Sequence, residues 1–142
     1  MNFGYKFAIT LVGAAISASM CSADTLPTHR IPAALAIEAA SETIAACARQ
    51  GSGIHTLDSA HDKAYTSVSF KNDTIALAER AKGEDSIAPL AKLPHVMFFG
   101  GGIVIKLGDE TIGAIGASGA PGAKLDDNCA RAGLDKIRDR LK

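Results

Sequence analysis

The stretch FFGGGIVIKLGDETIGAIGASGAPG, residues 98–122, decides how the chain folds. It opens on two phenylalanines and three glycines. An apolar run from Ile103 to Leu107 then reads as a strand, Gly108-Asp109 as a tight turn, and Thr111 to Ala117 as a second strand. Gly-Asp between two apolar runs supplies the positive φ that a two-residue hairpin turn demands. Gly113 and Gly116 strip side chains from the second strand, which marks close approach by another part of the chain. A packed hairpin follows from these residues, and no reaction does.

Outward from the hairpin, His95 to Phe99 is predicted as a strand leading in, after Pro94 has reset the chain to extended geometry. Asp126 is predicted to cap a last helix from Asp127 to about Leu141, with Ala130, Leu134, Ile137 and Leu141 as its apolar stripe. Upstream, Pro32 suits a first helical turn, and Ala33 to Arg49 reads as an amphipathic helix closed by Gly51. Its expected apolar face is Ile37, Ala40, Ile44, Cys47 and Ala48. A second helix, capped by Thr56 or Asp58, runs to about Phe70 with His61, Ala64, Tyr65 and Val68 in one stripe, and a short third begins at Asn72-Asp73-Thr74. The fold class is α+β, a small antiparallel sheet packed by helices.

Residues 1–23 have the layout of a secretory signal peptide: Lys6, an apolar run from Phe7 to Ile16, and small residues at Cys21-Ser22-Ala23. The apolar run is too short for a convincing membrane span. The expectation is therefore cleavage before Asp24 and an exported product, periplasmic or extracellular, forming one domain over residues 24–142. The chain has 15 basic and 15 acidic residues, and loss of Lys6 leaves 14 against 15. With no basic surplus, nucleic acid is not an expected partner. Cys47 and Cys129 could pair in an oxidising compartment or stay as buried thiols on separate helices.

Several strings resemble the GlcG/HbpS-like haem-binding family, which is related to the carboxy-terminal part of PduO-type proteins. They are Gly101-Gly102-Ile103-Val104-Ile105, Ile112-Gly113-Ala114-Ile115-Gly116-Ala117-Ser118-Gly119-Ala120, Asp126 to Ile137, and Lys63-Ala64-Tyr65-Thr66. The resemblance implies a compact α+β domain, haem as cofactor, and assembly into homo-oligomers. Two departures stand out. Val104 replaces a usual proline, and the strand hairpin that the family places between the first two helices is missing. Gln50-Gly51-Ser52-Gly53 passes almost directly across, whereas two strands and a turn take roughly 15–25 residues. The sheet is thus expected to be truncated by one hairpin, with an exposed edge to be covered.

Imidazole is a common axial ligand of haem iron, so His55, His61 and His95 are candidates, with His55 first as the iron ligand. The resemblance implies Lys63 as a partner for a haem propionate and Tyr65 at the rim. Phe98 and Phe99 point opposite ways at strand spacing, so one of them, taken as Phe99, is left to stack on a porphyrin. Ser118 in Gly-Ala-Ser-Gly-Ala lacks nucleophile-elbow spacing, and Asp126 and Asp127 would repel a phosphate from the helix start. The function expected is haem or iron capture, sensing or buffering. The alternatives are a cofactor-free oligomerising or partner-binding module and a small-molecule enzyme of unknown reaction.

Overall fold

A computed structural model describes residues 29–47 and 56–142. The signal-peptide and cleavage expectations, Ala48 and His55 all lie outside these residues. The elements in chain order are α1 (Ala33–Cys47), α2 (Thr56–Phe70), α3 (Thr74–Gly83), β1 (Gly102–Leu107), β2 (Glu110–Gly116) and α4 (Ala123–Ile137). Short 3-10 turns cover Ala88–Lys92 and Arg138–Arg140. Four helices and a two-stranded antiparallel sheet make this an α+β fold among the described residues.

The hairpin forms where the sequence places it. Gly108 turns with φ 58°, and Ile103 pairs with Ile115 and Ile105 with Gly113, with a bulge between Ile105 and Lys106. One face of the sheet carries Ile103, Ile105 and Ile115 into the core beside Ala130, Leu134 and Ile137 of α4. The other face receives α2. A methyl group at Gly116 would collide with the Ala60 carbonyl, and one at Gly102 with the Lys63 carbonyl. The two glycines therefore let a helix backbone seat directly on the strands. Gly113 instead makes room for the Ile31 side chain.

The outer edge of β1 is closed by side chains at the start of α3. The Gly102 N–H donates to Thr74 Oγ1 and the Val104 N–H to Asp73 Oδ1, both at 2.9 Å. Asp73 is thus spent on the sheet and gives α3 no side-chain cap.

Four expectations are corrected. No strand forms over His95 to Phe99; the segment is irregular, with His95 in the left-handed region at φ 62°. Helix α4 starts at Ala123, which puts Asp126 inside its first turn rather than at its cap. On α1, Ile37 and Ile44 are 67% and 69% exposed, while Ala39 and Thr43 are buried. Helix α1 rests on α4 rather than on the strands, because Gly133 admits Ala39 and Thr43 to contact. On α2, His61, Tyr65 and Val68 face outward, and Lys63, Thr66 and Ser67 face the sheet. Glycine-rich strands leave space for a helix backbone and short polar side chains, and no space for a large apolar stripe.

Cys47 and Cys129 form a disulfide that joins α1 to α4 across 82 residues of sequence. This bond adds to the Gly133 contact, the packing of Leu35 on the core and the Glu38–Arg140 ion pair in fastening α1. Cys47→Ser or Cys129→Ser should lower stability by about 2–5 kcal/mol, read as a drop in the urea midpoint. Dithiothreitol should reproduce that drop in the parent protein and leave either variant unchanged.

Candidate functional site

The outward face of α2 places His61 and Tyr65 one turn apart. The loop after Pro94 brings His95 between them. Thr66, fully buried, fixes that loop: its Oγ1 donates to the His95 carbonyl at 3.3 Å and accepts the Met97 N–H at 2.8 Å. The His95 ring lies edge-on to His61 and to Tyr65, with centroids 6.4 and 6.3 Å away. A non-glycine residue at positive φ is strained, and such strain clusters where a side chain must be aimed.

Asp62 organises the pair. Its Oδ1 lies 3.1 Å from His95 Nδ1 and 3.3 Å from His61 Nδ1. A carboxylate only accepts, so each Nδ1 is the donor, and in the neutral form of either imidazole the Nε2 then keeps its lone pair. This is how metal-binding imidazoles are commonly oriented, with the second nitrogen held by a carboxylate. Desolvation pushes the Asp62 carboxyl upward, but the hydrogen bonds from His61 and His95, together with their charge, outweigh it and hold it below its ordinary value. Among the described residues, no set of three His, Cys, Asp or Glu side chains is placed to hold a metal ion by itself.

The two phenylalanines divide between core and surface, although no strand forms there to impose it. Phe98 packs edge-on against Phe70, with centroids 5.4 Å apart. Phe99 is 49% exposed and covers Lys63, whose Nζ lies 5.1 Å from the ring centroid. Lys63 itself is 1% exposed. Its ammonium donates to Asp126 Oδ2 at 2.7 Å, the Ala117 carbonyl at 3.0 Å and Ser118 Oγ at 3.3 Å. Its three donors are therefore engaged inside the protein, beneath the aromatic surface.

The structure thus brings together His61, Tyr65 and His95, with Phe99 over Lys63 on the same helix. Two residues outside the candidate set matter most. Asp62 was visible only as the neighbour of His61, since its second partner comes 33 residues later. Asp126 was read as a helix cap, and nothing local in the sequence reveals its partner Lys63.

Fold and face together define an α+β domain presenting two carboxylate-anchored imidazoles beside exposed aromatic rings. A family model described as "Haem degrading protein HbpS-like" matches residues 8–135. The chain belongs to this HbpS-like family. A crystal structure of HbpS is 25% identical, covers 79% of this chain and 93% of its own, and superposes with a TM-score of 0.71. A double mutant of HbpS from Streptomyces reticuli is 23% identical over 93% of this chain and 97% of its own, also at 0.71. Protein ORFY from Klebsiella pneumoniae is 19% identical over 81% of this chain and 95% of its own, at 0.73. No curated protein matches the chain.

Two outcomes check this geometry. Asp126→Asn should cost about 3–5 kcal/mol by leaving a buried ammonium without its counter-charge, and the double variant Lys63→Met/Asp126→Leu should recover most of that loss in chemical denaturation. The Asp62 carboxyl, depressed when folded, favours the folded state above its ordinary value of 3.8, and this contribution is lost as pH falls through the lower folded value. Carbon-detected NMR titration should place its midpoint below 3.8, and above it in the double variant His61→Ala/His95→Ala.

Proposed function

We propose that this protein binds haem on the outward face of α2 and serves in haem or iron capture and buffering. The observation that carries the reading is the shared Asp62 anchor, which leaves the Nε2 atoms of His61 and His95 free to coordinate. His95 is the preferred axial ligand, because its strained backbone and the Thr66 clamp aim it outward. Tyr65 and Phe99 supply exposed aromatic surface for the porphyrin. Bound there, haem would supply an iron centre able to exchange ligands and electrons. Lys63 supports this face from below rather than pairing with a propionate, since its ammonium is already shared among Asp126, Ala117 and Ser118.

Haem titration followed at the Soret band tests the reading. Saturable binding is expected for the parent, with loss of the ligated spectrum in His95→Ala and a smaller change in His61→Ala. Asp62→Asn should weaken binding by about 10–100-fold, as loss of an orienting carboxylate commonly does. No saturable shift from a folded protein, or identical spectra for His95→Ala and the parent, would refute it.

A further inference from the structure

Beyond the bonds that Asp73 and Thr74 make to the edge of β1, a cleft of about 360 Å³ opens between the start of α3, β1 and α4. Val104, Leu134 and Leu141 give it apolar surface, and Lys106, Arg131 and Arg138 give it cations. That volume suits a small ligand, of the kind that sets an apolar body beside a few placed polar groups.

The acids around the cleft are already engaged. Asp73 accepts the Val104 N–H through one oxygen and Arg131 Nη2, at 2.7 Å, through the other. Asp127 accepts Arg131 Nε at 2.9 Å, and Asp135 Oδ1 accepts both Nε and Nη2 of Arg138. The hydrogens on Nη1 of both arginines meet no acceptor among the described residues, and the Lys106 ammonium has no ion-pair partner among them. The groups left over are therefore donors, with one cation that no carboxylate answers.

Arg131 is also held in place before any ligand arrives. Asp127 is buried, and its Oδ1 has no hydrogen-bond donor, so the guanidinium is the group that neutralises it. A second carboxylate, Asp73, fixes the other edge of the same planar fork. Arg131 still stays 44% exposed. A cationic fork whose rotamer is set by the fold loses little freedom on binding.

We propose that this cleft binds a small organic carboxylate, with its charged end on Arg131 and Lys106 and its apolar body against Leu134 and Leu141. The planar guanidinium matches the carboxylate group. Asp73 and Asp127 beside it disfavour a dianion such as phosphate, whereas a single negative charge answers Lys106. The site uses no residue of the His61, Asp62 and His95 face, so it stands or falls separately from haem binding.

Hexanoate is the probe, titrated into the full chain and followed by the backbone amide shifts of Val104, Lys106 and Arg131. Saturable shifts are expected there. Hexan-1-ol, which lacks the charge, and acetate, which lacks the body, should each bind at least ~10-fold more weakly, as should inorganic phosphate. Lys106→Gln, an exposed change on β1, should weaken hexanoate binding ~10-fold at an unchanged melting temperature. Arg131→Lys should weaken it by a similar factor although it keeps the charge, because the fork is lost. No saturable shift at the three amides overturns the proposal, as does an unchanged dissociation constant in Lys106→Gln. Equal affinity for hexan-1-ol overturns it and leaves a merely apolar cleft; equal affinity for phosphate overturns it and leaves an adventitious ion only. Shifts that gather at Ala60 and Gly116 also overturn it, since those residues line a separate apolar pocket between α1 and α2.

Discussion

The buried ion pair between Lys63 and Asp126 is the contact on which the rest of this structure depends. A lysine ammonium leaves water only where counter-charge and hydrogen-bond acceptors replace it. Here the acceptors come from α4 (Asp126), from the end of β2 (the Ala117 carbonyl) and from the loop between them (Ser118). The second carboxylate oxygen of Asp126 accepts the Ala120 N–H at 2.9 Å, which closes that loop. One side chain of α2 thereby fixes the sheet, the loop and the last helix relative to one another. Gly101 stands against Asp126 and Lys63 because a side chain there would occupy the same volume.

The outward face of α2 inherits its geometry from this inward tie. Lys63 anchors the helix, so His61, Asp62 and Tyr65 are presented at fixed heights above the sheet. Thr66, a turn along, brings His95 to them through two hydrogen bonds. The inner and outer faces therefore divide the work: charge is neutralised inside, and imidazole lone pairs are held ready outside.

Much of the fold was legible in the sequence, for local reasons. The Gly108-Asp109 turn, the flanking apolar runs and the Ala130, Leu134 and Ile137 stripe each declare themselves within a few residues. The misread faces of α1 and α2 share one cause. Helical periodicity identifies an apolar stripe but not its partner surface, and the surface that α1 meets is α4 at Gly133. The supposed strand at His95 to Phe99 failed because Thr66 takes up backbone groups that a neighbouring strand would have used. At the site, His61, Tyr65 and His95 were individually visible. Their common dependence on Asp62 was not, since it arises from tertiary approach across 33 residues.

The disulfide between α1 and α4 has a consequence for biosynthesis. It joins the first described helix to the last, and α1 finds its main packing surface on α4. During synthesis α1 emerges long before α4 exists, so its buried residues lack their main packing surface until α4 is free. Loop closure over such a separation comes late and slowly. The hairpin and α2 can assemble beforehand around Lys63, but Asp126 arrives with α4. Synthesis of α4 therefore supplies both the counter-charge for the core and the thiol for the cross-link, and the domain locks through that helix.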